Sequence, residues 1–488
     1  MPDPFTPRWT KERTARLVLG AALAVGAALR GWLALTDAGI YWPDEIYQSL
    51  EPAHRLVWGR GFIPWEFVAG ARPWTLPGLV AGFFALLRGL GVSDPAIYVP
   101  AVKLVFAAAG VATAWAAARL ARALGSGPLP AATAGALWAL AAPAIYFSPR
   151  GLSEPLSALP LTAGLALAWP RDATRRRRLW GAALLCFAVL LRLQDSLVCV
   201  VFLAVLLARG ERRGAAETLG VFALGAAALG LLDWVSWGHP FQSALANFRF
   251  NVVEGGGSLW GTSDALYYLR VLWRAMPAVT LVLVAGAVLA ARRAPGMLAI
   301  LAVFLAFHSL VPHKELRFIL PVLPAWAALA GAGLEVATEW VARHRAALAP
   351  WVVAPALAAA VFSAARFHAL TFGDLGAYEN LKPGASAYDD FGDVNRLLTL
   401  AGKLPDLCGL KIEAVHLAWS GGYTYFHRDA RLYSHLGPPR SERKYSHVLT
   451  VQRAVPHGAV RAQAGPFVVA QLFDGPCAED PAFSWRLP

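Results

Sequence analysis

Long apolar runs recur along this chain, and most of them end at a cluster of Arg or Lys. A hydrocarbon core of roughly 30 Å needs about 20 apolar residues per helical crossing, and several runs approach that length. Mean hydropathy is +0.48, with 57% hydrophobic and 15% charged residues, so the expected class is a polytopic α-helical membrane protein. The formal charge of +13 does not imply nucleic acid, because the basic residues sit where the positive-inside bias puts them. The run Leu17 to Leu35 is followed by Tyr41-Trp42-Pro43-Asp44-Glu45 rather than by a small-residue cleavage site, so it reads as a retained first span.

The basic loops set a topology before any function is considered. Lys11, Arg13 and Arg16 place the start of the chain in the cytoplasm, and residues 36–99 outside. Arg119 and Arg122, Arg171 with Arg175 to Arg178, Arg209 with Arg212 and Arg213, Arg292-Arg293, and Arg343 with Arg345 mark successive inner ends. The apolar stretch 179–208 is too long for one span and has a basic cluster at both ends. Two short helices turning at Arg192-Leu193-Gln194-Asp195 resolve this. The count is about eleven spans, with 1–366 as the membrane domain and 367–488 as a soluble extracytoplasmic domain. In the latter, 447–451 and 466–470 read as strands and 394–403 as a helix, giving a small α/β module. Cys408 and Cys477 fall in it and can pair if that compartment is oxidising.

With sidedness assigned this way, the unusual polar groups gather at outer ends: Asp44, Glu45, Arg72, Arg150, Glu154, Arg192, Asp195, Asp233, Asn247, Asn251 and His313 to Arg317. Ionisable groups near hydrocarbon are costly, so such a convergence points to a site. Each element also has a plainer reading. Asp44 and Glu45 are suited to general-base work on a hydroxyl, or to starting a helix after Pro43. Asn247 and Asn251, four apart, share a helix face beside Gly255-Gly256-Gly257, or belong to an interfacial aromatic segment. Arg192 with Asp195 is a structural ion pair or a head-group contact; Arg72 binds phosphate or anchors at the lipid surface. His313-Lys314-Glu315-Leu316-Arg317-Phe318 is a phosphate clamp or a loop tied by its own salt bridge.

Taken in order, Pro43-Asp44-Glu45, Asp233 with Trp237-Gly238, Asn247-Phe248-Arg249-Phe250-Asn251, Leu259-Trp260-Gly261, Tyr268-Leu269 and His313 to Phe318 resemble glycosyltransferase family 22. These are membrane mannosyltransferases using dolichyl-phosphate-mannose, including those of GPI-anchor and lipid-linked-oligosaccharide assembly. The resemblance covers about the first 330 residues. It implies a GT-C fold and transfer of a hexose, mannose by the resemblance, from a polyprenyl or dolichyl monophosphate sugar. The acceptor would be a glycolipid, an oligosaccharide or a protein.

Asp44 is then the general base, with Glu45 beside it. His313, Lys314, Glu315 and Arg317, supported by Arg72, Arg192, Asn247 and Asn251, hold the donor's phosphate. Two departures stand out. Trp42 occupies the place where the family has His, and Arg150 to Glu154 matches the family's Arg-containing segment only loosely. No metal or other cofactor is expected from ligand spacing, and no Gly-rich phosphate loop suggests a nucleotide-sugar donor. The expected location is a bacterial inner membrane with a periplasmic site, or the endoplasmic reticulum with a lumenal one. The alternative functions are a flippase of lipid-linked sugars, which would place polar groups nearer the midplane, and a catalytically dead glycan receptor.

Overall fold

The computed structural model describes residues 8–376, 384–388, 390–455 and 459–487. They form two compact units. One contains the chain up to Leu33 and residues 105–386, the other residues 34–104 and 387–488.

The first unit is helical, and small residues set how closely its helices approach. The helix Ser153–Ala168 packs on Arg175–Leu191, where an added Cβ at Gly164 would lie 2.8 Å from the Gly181 carbonyl oxygen. Pro277–Ala290 crosses Leu323–His344 in the same way, with Gly286 against Ala330 and Gly333. Packing of this kind replaces the hydrophobic drive that helices lack among lipid tails. In the first half of Leu323–His344, every residue from Leu323 to Gly333 except Trp326 is buried. Arg30, in the first helix Arg8–Thr36, is fully buried. It donates to Ser148 Oγ (2.9 Å), Gly26 O (3.0 Å) and Ala139 O (2.6 Å), so carbonyls satisfy a charge that sequence placed only near a span end.

Among the described residues, five helical stretches are long and apolar enough to cross a membrane: Lys11–Thr36, Pro95–Ala123, Arg212–Trp237, Leu316–His344 and Ala346–Ala365. Shorter apolar helices cover Thr75–Gly89, Leu193–Ala208, Pro277–Ala290 and Pro295–Leu310. The expected set of about eleven spans, two of them short, is a mixture of full-length and short helices among the described residues. Prolines at the starts of Pro128–Ala139, Ala142–Phe147, Pro277–Ala290 and Pro295–Leu310 cut the apolar runs into shorter pieces. The turn expected at 192–195 is present, since Arg175–Leu191 ends there and a 3₁₀ turn, Leu193–Asp195, leads into Ser196–Ala208. The apolar helix Thr75–Gly89 lies within what sequence read as a plain outer loop, and it exposes Leu79 and Leu86.

In the second unit a five-stranded sheet has the order β2-β1-β3-β5-β4. Its strands are β1 (Gly409–Ile412), β2 (Arg431–Tyr433), β3 (His447–Val451), β4 (Val460–Ala464) and β5 (Phe467–Gln471). β1 runs parallel to β2 and β3, while β5 is antiparallel to β3 and β4. The helix Gly392–Ala401 covers β4 and β5, and Cys408 is bonded to Cys477 with their Cα atoms 5.6 Å apart. Residues 34–104 are built into this module rather than forming a separate loop. Ile40 N–H donates to Asp390 O (3.0 Å), Ile63 N–H to Trp485 O (2.7 Å), and Leu487 N–H to Ile63 O (3.0 Å). A division at 366/367 is therefore one of sequence; in space the module is shared by two distant segments.

The backbone contact at Gly333 yields a test. Gly333→Leu drives a side chain into the Gly286 backbone and should cost about 3 kcal/mol or more. Thermal melts and size-exclusion profiles in detergent should show a marked loss, whereas Gly20→Ala, at a position with no neighbour within 4 Å, should melt like the parent.

Candidate active site

In the first unit the segment 311–317 leaves the helix Pro295–Leu310 and enters a 3₁₀ stretch, Leu316–Val322. All four of its charged or titratable groups are nearly inaccessible: His313 is 8% exposed, Lys314 2%, Glu315 2% and Arg317 3%. Glu315 is the hub. Its Oε2 accepts from Arg317 Nε at 2.6 Å, and its Oε1 lies 3.0 Å from Arg317 Nη2 and 3.1 Å from His313 Nε2. The other His313 ring nitrogen, Nδ1, faces Gly261 O at 3.1 Å. Both imidazole nitrogens thus face oxygen acceptors. Burial alone would push the Glu315 carboxyl up, but Arg317 and His313 outweigh it and hold it down at about 2.

Lys314 is used differently. Its Nζ donates to Ser263 O at 2.7 Å and lies 3.4 Å from Pro312 O, and Ser263 N–H donates back to Pro312 O at 2.9 Å. Lys314 therefore pins the 261–264 strap to the motif. Phe318 is the shared floor: the guanidinium carbons of Arg317 and Arg192 lie 5.3 and 5.8 Å from its ring centre, and the His313 ring lies 5.5 Å away.

The helix ends around the motif add further charge. Glu154, in the first turn of Ser153–Ala168, stands 3.8 Å from Arg192 and 3.9 Å from Arg317. Arg192 also donates to Phe318 O at 2.9 Å and lies 3.8 Å from Asp195, which is fully buried. Arg192 and Asp195 thus belong to the same network as HKELRF. Asn251 borders it, because Gly257 packs between Asn251 Oδ1 and His313 Cβ. Asn247 and Asn251 lie on one continuous helical run. The helix Gln242–Phe248 gives way to a π turn, Arg249–Val253, and Asn251 Nδ2 donates to the Asn247 carbonyl at 3.0 Å. Asp233 is structural: its Oδ2 accepts from Ser243 N–H (2.8 Å) and Ser243 Oγ (2.7 Å).

The second unit holds the acidic segment. A continuous helical run starts at Asp44, passes through a π turn, Ile46–Leu50, and continues as Glu51–Trp58. The two neighbouring carboxylates have different surroundings. Glu45 is buried, and its Oε1 accepts from the N–H groups of Tyr41 and Trp42, so it caps the turn that precedes the helix. Asp44 is half-buried. Glu66 lies within electrostatic reach of both Asp44 and Arg72. Burial and the Asp44 charge push the Glu66 carboxyl up, and Arg72 opposes them. Gln48, one turn beyond Asp44, donates to Glu66 Oε1 at 2.8 Å.

Glu66 and Glu51 were not singled out from sequence, although a carboxylate within an apolar stretch, as in Pro64-Trp65-Glu66-Phe67 and Leu50-Glu51-Pro52, was a usable signal. Among the described residues no group of three or more His, Cys, Asp or Glu side chains is arranged to hold a metal.

Known proteins share both sequence and fold with this chain. The pattern of the Alg9-like mannosyltransferase family matches residues 22–381. GPI mannosyltransferase 3 of Yarrowia lipolytica is 34% identical over 62% of this chain and 60% of its own length. Mannosyltransferase APTG1 of Arabidopsis thaliana is 30% identical over 58% of this chain and 52% of its own. The matches thus span between about half and three fifths of these relatives. In fold, ArnT from Cupriavidus metallidurans, solved with undecaprenyl phosphate, aligns over 93% of this chain and 97% of its own, at a TM-score of 0.54 and 16% identity. The archaeal oligosaccharyltransferase AglB of Archaeoglobus fulgidus aligns over 91% of this chain and 70% of its own, at 0.53 and 12%. The architecture is therefore that of the GT-C enzymes, an integral membrane fold. By the match over residues 22–381, the chain belongs to the Alg9-like mannosyltransferase family.

Proposed function

We propose that this protein transfers mannose from a polyprenyl or dolichyl monophosphate sugar to an acceptor hydroxyl at the extracytoplasmic face, with inversion and with Asp44 as general base. The observation that carries the reading is the division of labour in the acidic pair. Glu45 is committed to backbone N–H groups, while Asp44 is half-buried at the start of its helix, within electrostatic reach of Glu66. Asp44 takes the proton of the acceptor hydroxyl as that oxygen attacks C1 of the sugar. The bond from C1 to the phosphate oxygen breaks, and the lipid phosphate leaves with the electron pair. His313, Lys314 and Arg317 are the cations proposed to meet that phosphate, with Glu315 orienting Arg317 and Arg192 in support. No metal or other cofactor takes part in this scheme.

The acceptor is proposed to be a lipid-linked glycan, in line with relatives named for GPI mannosyl transfer and for mannosyl transfer to a dolichol-linked oligosaccharide. The acting face would be the periplasmic side of a bacterial inner membrane or the lumenal side of the endoplasmic reticulum. The eukaryotic origin of the named relatives favours the second, and the Cys408–Cys477 bond supports an oxidising compartment in either case. Family membership supports transfer over flipping of lipid-linked sugars.

Purified protein given labelled polyprenyl-phosphate-mannose and lipid-linked glycan acceptors should form a glycosidic product. Asp44→Asn should lower the rate by about 10² to 10⁴-fold. Undiminished transfer in that variant would remove Asp44 as base, and lipid movement without product would favour the flippase.

The Glu315 clamp gives a second expectation. Arg317→Lys keeps a charge but not the two-point grip, so KM for the donor should rise about tenfold while kcat falls less. Unchanged donor KM would assign the clamp to folding alone. A third concerns pH. The Glu315 carboxyl is held below its ordinary value, so its stabilisation is complete above about pH 4.3 and is lost as pH falls toward about 2. Melting temperatures in detergent should decline across that window in the parent, and less steeply in Glu315→Gln.

A further inference from the structure

We infer that Glu51 is a positioning residue for Asp44, and that the C-terminal module serves this enzyme by holding the helix that carries the base. The inference rests on the assignment of Asp44 as base and extends it to the residues that fix where Asp44 stands.

Glu51 lies seven residues after Asp44 on one helical run, a rise of about 10 Å. It is fully buried, yet its carboxylate accepts four hydrogen bonds: from Phe62 N–H (2.9 Å), Tyr423 N–H (3.0 Å), Thr424 N–H (2.8 Å) and Thr424 Oγ1 (2.7 Å). Burying a carboxylate is expensive, and here burial drives the Glu51 carboxyl upward. Four convergent donors offset that cost only in one orientation, so the side chain acts as a locating pin between the helix and residues 423–424.

Two further contacts, one on the same helical run and one in the turn before it, point to the same module. Tyr47 OH donates to Leu417 O at 2.9 Å, and the Trp42 ring meets Trp419 edge to face at 5.2 Å. His54 continues the series: its Nδ1 donates to Arg60 O at 2.7 Å, leaving Nε2 to accept from His427 Nδ1 at 2.8 Å.

The π turn, Ile46–Leu50, carries Tyr47 and leads directly into Glu51, so two of these anchors sit on or beside it. Ser49 Oγ donates to the Glu45 carbonyl at 2.7 Å, satisfying one acceptor in the widened turn. Asp44 opens the helical run, between the Trp42 and Tyr47 anchors. Π turns of this kind occur often at functional sites. In this one the strand-and-helix module holds Tyr47 and Glu51, and with them the run that Asp44 begins.

The test uses the full-length protein in the mannosyl-transfer assay. In Glu51→Gln, kcat should fall at least about tenfold while donor KM stays within about twofold, because a small displacement of the base slows chemistry without touching donor binding. Thr424→Val, which removes one of the four donors, should lower kcat about threefold, and Thr424→Ser should restore it. A folded Glu51→Gln protein with parental kcat would overturn the inference, as would a loss shared equally by KM and kcat. If Glu51→Gln does not fold, Thr424→Val and Tyr47→Phe carry the test, and parental kcat in both would overturn it. Asp44→Asn in parallel separates the two levels. An inactive Asp44→Asn beside a fully active Glu51→Gln defeats the inference and leaves the base in place, while an active Asp44→Asn defeats the base assignment itself.

Discussion

A carboxylate that is 2% exposed and still ionised sets the terms for the first unit. Glu315 has to be surrounded by cations, so Arg317 wraps both of its oxygens and His313 approaches from the other side. Those cations need a floor and a second partner, which Phe318 and Glu154 provide, and Glu154 in turn draws in Arg192. Helix ends separated by more than a hundred residues in sequence are thereby drawn into one network. Replacing a buried ion pair with apolar groups is often neutral for stability, but removing a single partner is not. The motif therefore behaves as a unit, and a phosphate brought to it would meet cations whose positions are already fixed.

Much of this was legible before any coordinates. The turn at 192–195 followed from a run too long for one span with basic residues at both ends. Strand 447–451 followed from its alternating pattern, whereas sequence left the pairing of Cys408 with Cys477 conditional on an oxidising compartment. The charged knot at 313–317 was legible both as a candidate clamp and as a self-tied loop, and the structure contains the ties. Two kinds of information were hidden. Span lengths depend on where prolines start helices, which composition blurs. Partners far away in sequence leave no local trace: Glu51 meets Thr424 across 373 positions, and nothing around Glu51 announces that distance.

The acidic pair shows why local reading stops short. Asp44 and Glu45 are adjacent, similar in chemistry, and equally suited on paper to act as a base. What separates them is burial: Glu45 is buried and accepts from the N–H groups of Tyr41 and Trp42, whereas Asp44 is half-buried. Glu66 adds a third carboxylate whose environment favours the protonated form more than Asp44 alone would suggest, since burial and the Asp44 charge act in the same direction. Grouping carboxylates with divergent environments is a common way for a fold to separate proton-holding from proton-taking roles.

Trp42 is the position where this chain departs from the family's usual His, and its surroundings make the exchange intelligible. A histidine there could hydrogen-bond or carry charge; an indole offers one N–H and a broad apolar face. In this protein the ring packs edge to face against Trp419, a residue of the C-terminal module. The side chain thus contributes packing at the N-terminal end of the helical run whose C-terminal end is pinned by Glu51. Aromatic packing of this type is worth roughly 0.5–1.5 kcal/mol beyond the area it buries, enough to bias the turn that precedes Asp44 without taking part in proton transfer. A side chain here need not titrate for Asp44, the proposed base, to be well placed. It needs to hold the turn, and a tryptophan with an aromatic partner does so by shape.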